Sequence, residues 1–141
     1  MLDKRIMCLD LGGARTGVAV SDIMGMTAQG AGVIKVKGFE EDLKEYRKII
    51  DERSVGKLVI GYPLNLDGTE GARAAEVREQ YEALRDALPD IEVILWDERL
   101  STKEAERAYS ETGKNWKKKR EVIDEMAAQI ILQSYLDSNI F

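Results

Sequence analysis

The chain has 141 residues, 44% of them hydrophobic and 33% charged, which fits one soluble globular domain spanning residues 1–141 around a single core. It has no histidine and one cysteine. That composition excludes His-based triads, imidazole general bases, His or multi-Cys zinc sites and an intramolecular disulfide framework. The net charge of −5 argues against a polyanion-binding surface spread over the whole molecule. Acid–base or metal chemistry must then use carboxylates, Lys, Tyr or water. The first apolar segment is too short for a signal peptide or a membrane span, so the expected setting is the cytoplasm, with no membrane partner.

Residues 5–11 and 16–22 read as strands joined by Gly12-Gly13-Ala14-Arg15, a tight connection of the kind that makes antiparallel pairs. A third strand is expected at 30–36, after a Gly- and Met-rich stretch at 23–29. Residues 39–54 show helical spacing, with Phe39, Leu43, Tyr46, Ile49 and Ile50 on one face. A short apolar strand at 57–61 leads to a charged helix at 69–88, whose stripe is Val77, Tyr81, Leu84 and Leu88. A fifth strand falls at 92–96, and helices at 101–112 and 121–138 close the chain.

This order predicts an α/β fold. Strands one to three form an antiparallel meander. Strands four and five, reached through helices, lie parallel with right-handed crossovers. The result is a mixed five-stranded sheet with helices on both faces and the first strand central. Ligand sites in such sheets lie near the carboxyl ends of the parallel strands.

Asp10 stands in that region, inside the apolar run that begins Ile6-Met7-Cys8-Leu9. After the fourth strand, the Asp67-Gly68 pair makes a turn, Thr69 is expected to cap the next helix, and Asn65 with that helix N-terminus can orient a phosphate or water. After the fifth strand come Asp97 and Glu98. Neighbouring strand residues face opposite ways, so at most one of them shares a face with Asp10. Ser101 and Glu104 match a capping box. In the last helix Ile123, Met126, Ala127, Ile130 and Ile131 form the apolar stripe, and Asp124 borders it with Ala127 and Ala128 leaving room beside its carboxylate.

Asp10, Asp97 or Glu98, and Asp124 can converge at one sheet edge. Carboxylates brought together repel and raise each other's pKa. A hard divalent cation relieves this, and an all-oxygen donor set suits Mg²⁺ or Mn²⁺. Two such ions, roughly 3.5–4 Å apart, suit phosphodiester hydrolysis. Residues 114–120 add Lys114, Trp116, Lys117, Lys118, Lys119 and Arg120, five positive charges in seven positions. They read as a basic loop able to contact a polyanion, with Trp116 available to stack on a base. Arg15, Arg73 and Arg99 are further phosphate candidates.

Four blocks, LDLGGARTGVAVSD (9–22), GYPLNLDGTEGARA (61–74), WDERLSTKEAERA (96–108) and VIDEMAAQIILQSYLD (122–137), make the sequence similar to the YqgF/RuvX family. Its members are RNase H-like nucleases linked to pre-16S rRNA processing, in ribosome biogenesis, or to Holliday-junction resolution. The resemblance spans nearly the whole chain. It implies an RNase H-like fold, catalytic and metal-binding acids at Asp10, Glu98 and Asp124, and a substrate of pre-rRNA or branched DNA, with ribosome-assembly factors as further partners. Two positions depart from the family pattern: Ala14 replaces a lysine often found before Arg15, and Tyr62 stands where an aliphatic is usual.

Two other classes compete. An RNA- or ribosome-binding domain without catalysis would use residues 114–120 alone. The Asp-x-Gly-Gly turn also resembles the phosphate loop of actin-like ATPases, but those enclose nucleotide between two domains and 141 residues supply one. Metal-dependent cleavage and ATP turnover separate the three.

Overall fold

The computed structural model describes residues 3–99 and 116–138, with the side chains of 116–123 set aside. Strands β1 (Arg5–Leu11), β2 (Arg15–Ser21), β3 (Ala28–Lys35), β4 (Val55–Tyr62) and β5 (Glu92–Asp97) form one sheet in the order β3-β2-β1-β4-β5. β1 pairs antiparallel with β2, and β2 with β3. β4 lies parallel to β1, and β5 parallel to β4. The meander, the parallel half and the central first strand all agree with the sequence reading.

Helices α1 (Phe39–Glu52) and α2 (Ala72–Ala87) connect the parallel strands, and α3 (Trp116–Asp137) ends the described chain. The strand period of two divides β1 between the faces. Met7, Leu9 and Leu11 pack with Val18, Val20, Leu58 and Ile60 against Leu43, Tyr46, Val77 and Leu84 of α1 and α2. Ile6 and Cys8 pack with Ala19 and Val59 against Ala128, Ile131, Leu132 and Tyr135 of α3. Helices therefore cover both faces. Asp10 continues the Ile6–Cys8 phase, so it belongs to the α3 face.

Several expected boundaries shift. α2 begins at Ala72 with Gly71 as N-cap and no side-chain cap, so Thr69 does not cap it. The Thr69 N–H and hydroxyl instead donate to Asp67 Oδ1 at 3.0 and 2.6 Å, which fixes the preceding turn. There Gly68 has φ 86°, a left-handed value that favours glycine. The last helix starts at Trp116 rather than 121. Residues 116–120 are helical rather than loop, consistent with the high helix propensity of Lys and Arg. The helix expected at 101–112, the capping box at Ser101 and Glu104, and Lys114 lie outside the described residues. Among the described residues no helix is long and apolar enough to cross a membrane.

Candidate active site

The register fixes which side chains meet. Asp10 stands opposite Gly17 of β2. On the other side of β1, Cys8 pairs with Val59 and Leu9 with Ile60, so Gly61 is the next β4 residue beside Asp10. In β5, Ile94 pairs with Val59 and Trp96 with Gly61. Ile94 and Trp96 pack on the α3 face, and Glu98 continues their phase. Asp10 and Glu98 thus face the same side.

Glycine on both sides of Asp10 makes room for the acids. A Cβ on Gly17 would fall on the Asp124 carbonyl oxygen, so the bare backbone there lets α3 come down onto β2. A Cβ on Gly61 would fall on Glu98 Oε2. Glu98 is only 9% exposed, and its backbone N–H donates to the Tyr62 carbonyl at 3.3 Å. Strand glycines of this kind mark close approach. They were not among the residues singled out from sequence, although a glycine in each strand flanking Asp10 was a readable signal.

The electrostatics are those of acids held together. Burial, then the Asp124 charge, push Asp10 up to about 6, against the lowering effect of Arg73. Burial, then the Asp10 charge, push Glu98 up to about 8, again with Arg73 opposing. Glu98 Oε2 is buried without a hydrogen-bond partner among the described residues. Below them the Cys8 thiol is raised by burial, then by Asp10 and Glu98, and it belongs to the core.

Asp97, the alternative to Glu98, points elsewhere. It accepts from Arg99 Nε at 2.7 Å and from the Arg99 N–H at 3.0 Å. Burial raises its carboxyl, but these bonds and the Arg99 charge together hold it below the ordinary value.

Asp124 accepts from Arg15 Nε at 2.7 Å, with the two side chains 27% and 23% exposed. Among the described residues no three acids, histidines or cysteines form a ready metal cage. An orphaned carboxylate oxygen, a second acid on the same side of the sheet and an all-oxygen donor set nevertheless have the chemistry that suits a hard divalent cation.

Other sequence candidates occupy the rim. The Arg73 guanidinium donates to the Leu11 carbonyl at the end of β1. Arg99 Nη1 reaches the Leu66 carbonyl at 3.4 Å, tying the loop after β4 to the Glu98 segment. Asn65 is exposed, and its Nδ2 donates to Thr69 Oγ1 at 3.0 Å, so its side chain braces the loop. Tyr62 finds its reason in the same place. Its hydroxyl donates to Glu70, which also receives Arg78 Nε at 2.8 Å and Arg78 Nη2 at 3.2 Å. The side chains of Trp116, Lys117, Lys118, Lys119 and Arg120 are not described, but their helix leads directly to Asp124.

Residues 4–138 match the model of the RuvX family, described as Holliday junction resolvase. The chain is 49% identical over 140 residues to a Clostridioides difficile protein whose name carries the words pre-16S rRNA nuclease, covering 99% of each. In structure it is similar to the Fowlpox virus resolvase solved with substrate Holliday junction DNA, with TM-score 0.60 at 11% identity over 97% of this chain and 99% of that one. It is likewise similar to Thermus thermophilus RuvC solved with a Holliday junction substrate, with TM-score 0.59 at 11% identity over 97% and 96%. At these identities the structural likeness speaks for the RNase H-like fold alone.

Proposed function

From the premise that this chain belongs to the RuvX family, we propose that residues 1–141 act as one divalent-metal-dependent nuclease domain that hydrolyses phosphodiester bonds of structured RNA, pre-16S rRNA foremost. The observation that carries this reading is Glu98 Oε2, buried and without a partner among the described residues in the space Gly61 leaves open, on the same side of the sheet as Asp10. A protein does not keep an unpaired buried acid for stability.

Asp10, Glu98 and Asp124 would hold Mg²⁺ or Mn²⁺. Such ions would supply activation of water and stabilisation of the leaving oxygen. The chain's own residues do the rest. Asp10 and Glu98 supply negative charge on a rigid sheet. Arg73, anchored on the Leu11 carbonyl, brings a positive charge to both acids. Arg15 and Arg99 present guanidinium groups to substrate phosphates. Asn65, Arg73 and the N-terminus of α2 border the same end of the sheet. Lys114, Trp116, Lys117, Lys118, Lys119 and Arg120 precede Asp124 in the sequence and supply positive charge and an aromatic ring for the polyanion.

The relative's name supports RNA as substrate, with cytoplasmic ribosome-assembly factors as the natural company of such an enzyme. Branched DNA is the second reading, favoured by the family description and by the junction-bound resolvases of the same fold. One assay tests both. Labelled structured RNA, single-stranded RNA and a four-way DNA junction are each incubated with the protein in Mg²⁺, Mn²⁺ or EDTA. Cleavage of structured RNA in metal alone is expected. Preferential cutting of the junction would move the assignment to DNA, and no metal-dependent cutting of any substrate would end the nuclease reading.

A further inference from the structure

Resting on the nuclease reading, we propose that Arg15 is a positioning residue acting through Asp124: it holds the Asp124 carboxylate away from the metal position until a substrate phosphate takes over its guanidinium, which couples nucleic-acid binding to metal binding. Arg15 opens β2, and its side chain lies on the same face as Gly17 by strand parity. Gly17 is where the backbone of Asp124 seats against the sheet. Asp124 is thus fixed in place by its main chain while its carboxylate turns to Arg15 Nε at 2.7 Å. The charge of Asp124 is felt at Asp10, so a change of partner by this carboxylate acts at the centre of the site.

The latch can open because solvent and substrate can reach it: both side chains are about a quarter exposed. A phosphate offers guanidinium two parallel hydrogen bonds and is the better partner. Release of Arg15 leaves Asp124 beside Asp10 and Glu98, three acids in repulsion, and a divalent cation is what relieves that repulsion. Coupling of this sort is reciprocal. If nucleic acid tightens metal binding, metal tightens nucleic-acid binding by the same factor.

The test is Mn²⁺ titration by calorimetry, with and without a short 2′-O-methyl RNA checked to remain uncut. In the wild type, Mn²⁺ alone should bind weakly and tighten about ten-fold with the RNA, and anisotropy should show Mn²⁺ tightening RNA binding equally. Arg15→Gln should bind Mn²⁺ about ten-fold more tightly than wild type without RNA, and the RNA should then add little. Arg15→Lys, which keeps the charge without the planar fork, should lie between. Thermal melts establish that both variants are folded. Equal Mn²⁺ affinity for wild type and a folded Arg15→Gln, or a wild-type affinity unmoved by RNA, would overturn the latch. Wild-type cleavage in metal alongside either result leaves the nuclease reading standing, whereas no Mn²⁺ binding and no cleavage would sink both.

Discussion

The backbone carbonyl of Asp124 sits where a side chain on Gly17 would begin. This contact sets the height of α3 above β2 and places Asp124 over the strand position opposite Asp10. Gly17→Ala must therefore lift the helix or bend the strand. Overpacking of this kind costs about 1–3 kcal/mol, readable by urea unfolding. Cleavage should fall further than stability does, because the displaced element carries Asp124, the third acid of the proposed site. A variant as stable and as active as wild type would show that α3 has slack at this point.

Glu98 rather than Asp97 should be indispensable. Glu98 shares the Asp10 side of the sheet, while Asp97 is engaged by Arg99 at 2.7 Å. Glu98→Gln should lower cleavage at least about 100-fold, on the scale of lost metal-supported charge stabilisation. Asp97→Asn loosens only an exposed pair and should cost less than about ten-fold. Initial rates at saturating substrate distinguish the two, and the reverse ranking would contradict the strand phase described above.

Metal-free protein should lose stability as pH rises. Asp10 and Glu98 are raised in the folded state, from 3.8 to about 6 and from 4.5 to about 8, so their protonated forms favour folding. That contribution is complete below the unfolded values and is lost as pH climbs through about 6 and then about 8. Urea unfolding in EDTA should weaken progressively between pH 4 and 9. Saturating Mg²⁺ should bind the ionised acids and flatten the upper part of that slope. A metal-free protein that gains stability from pH 5 to 8 would contradict the environment assigned to these carboxyls.

The basic helix start should serve affinity. Five cationic residues crowd positions 114–120, and α3 runs from Trp116 to Asp124 and beyond. Phosphate contacts release counterions, with a log–log salt slope of about 0.7 per contact on single strands. Replacing Lys117, Lys118 and Lys119 by Gln should flatten the slope and raise KM with kcat little changed. Trp116→Ala should weaken binding without altering the slope, because stacking is not ionic. Anisotropy across a salt series measures both.

The sheet was legible because its signals are local. Two-residue periodicity, the tight turn at Gly12-Gly13 and the helical stripes of α1 and α2 fix pairing direction and faces before any contact is known. The acids were legible one by one, Asp10 by its misfit in an apolar strand. What sequence left open was phase at the end of β5. Asp97 and Glu98 differ by one residue, and only pairing of Trp96 with Gly61 decides which turns inward. The engagement of Asp124 by Arg15 was equally hidden, since it joins residues 109 positions apart. The start of α2 was misplaced because Thr69 has the chemistry of a cap but spends it on Asp67 in the turn.

Cleavage by Asp10→Asn tests the central claim most directly. The substitution keeps the shape of the side chain and removes one ionised acid from a site where Asp10 and Glu98 repel. Labelled structured RNA is incubated with wild type and variant in Mg²⁺ or Mn²⁺, and the melting temperature of each is recorded in EDTA at pH 8. Metal-dependent cleavage should disappear while the variant melts at or above the wild-type temperature, because the repulsion has been relieved. A folded Asp10→Asn that cuts at near wild-type rate would contradict that claim.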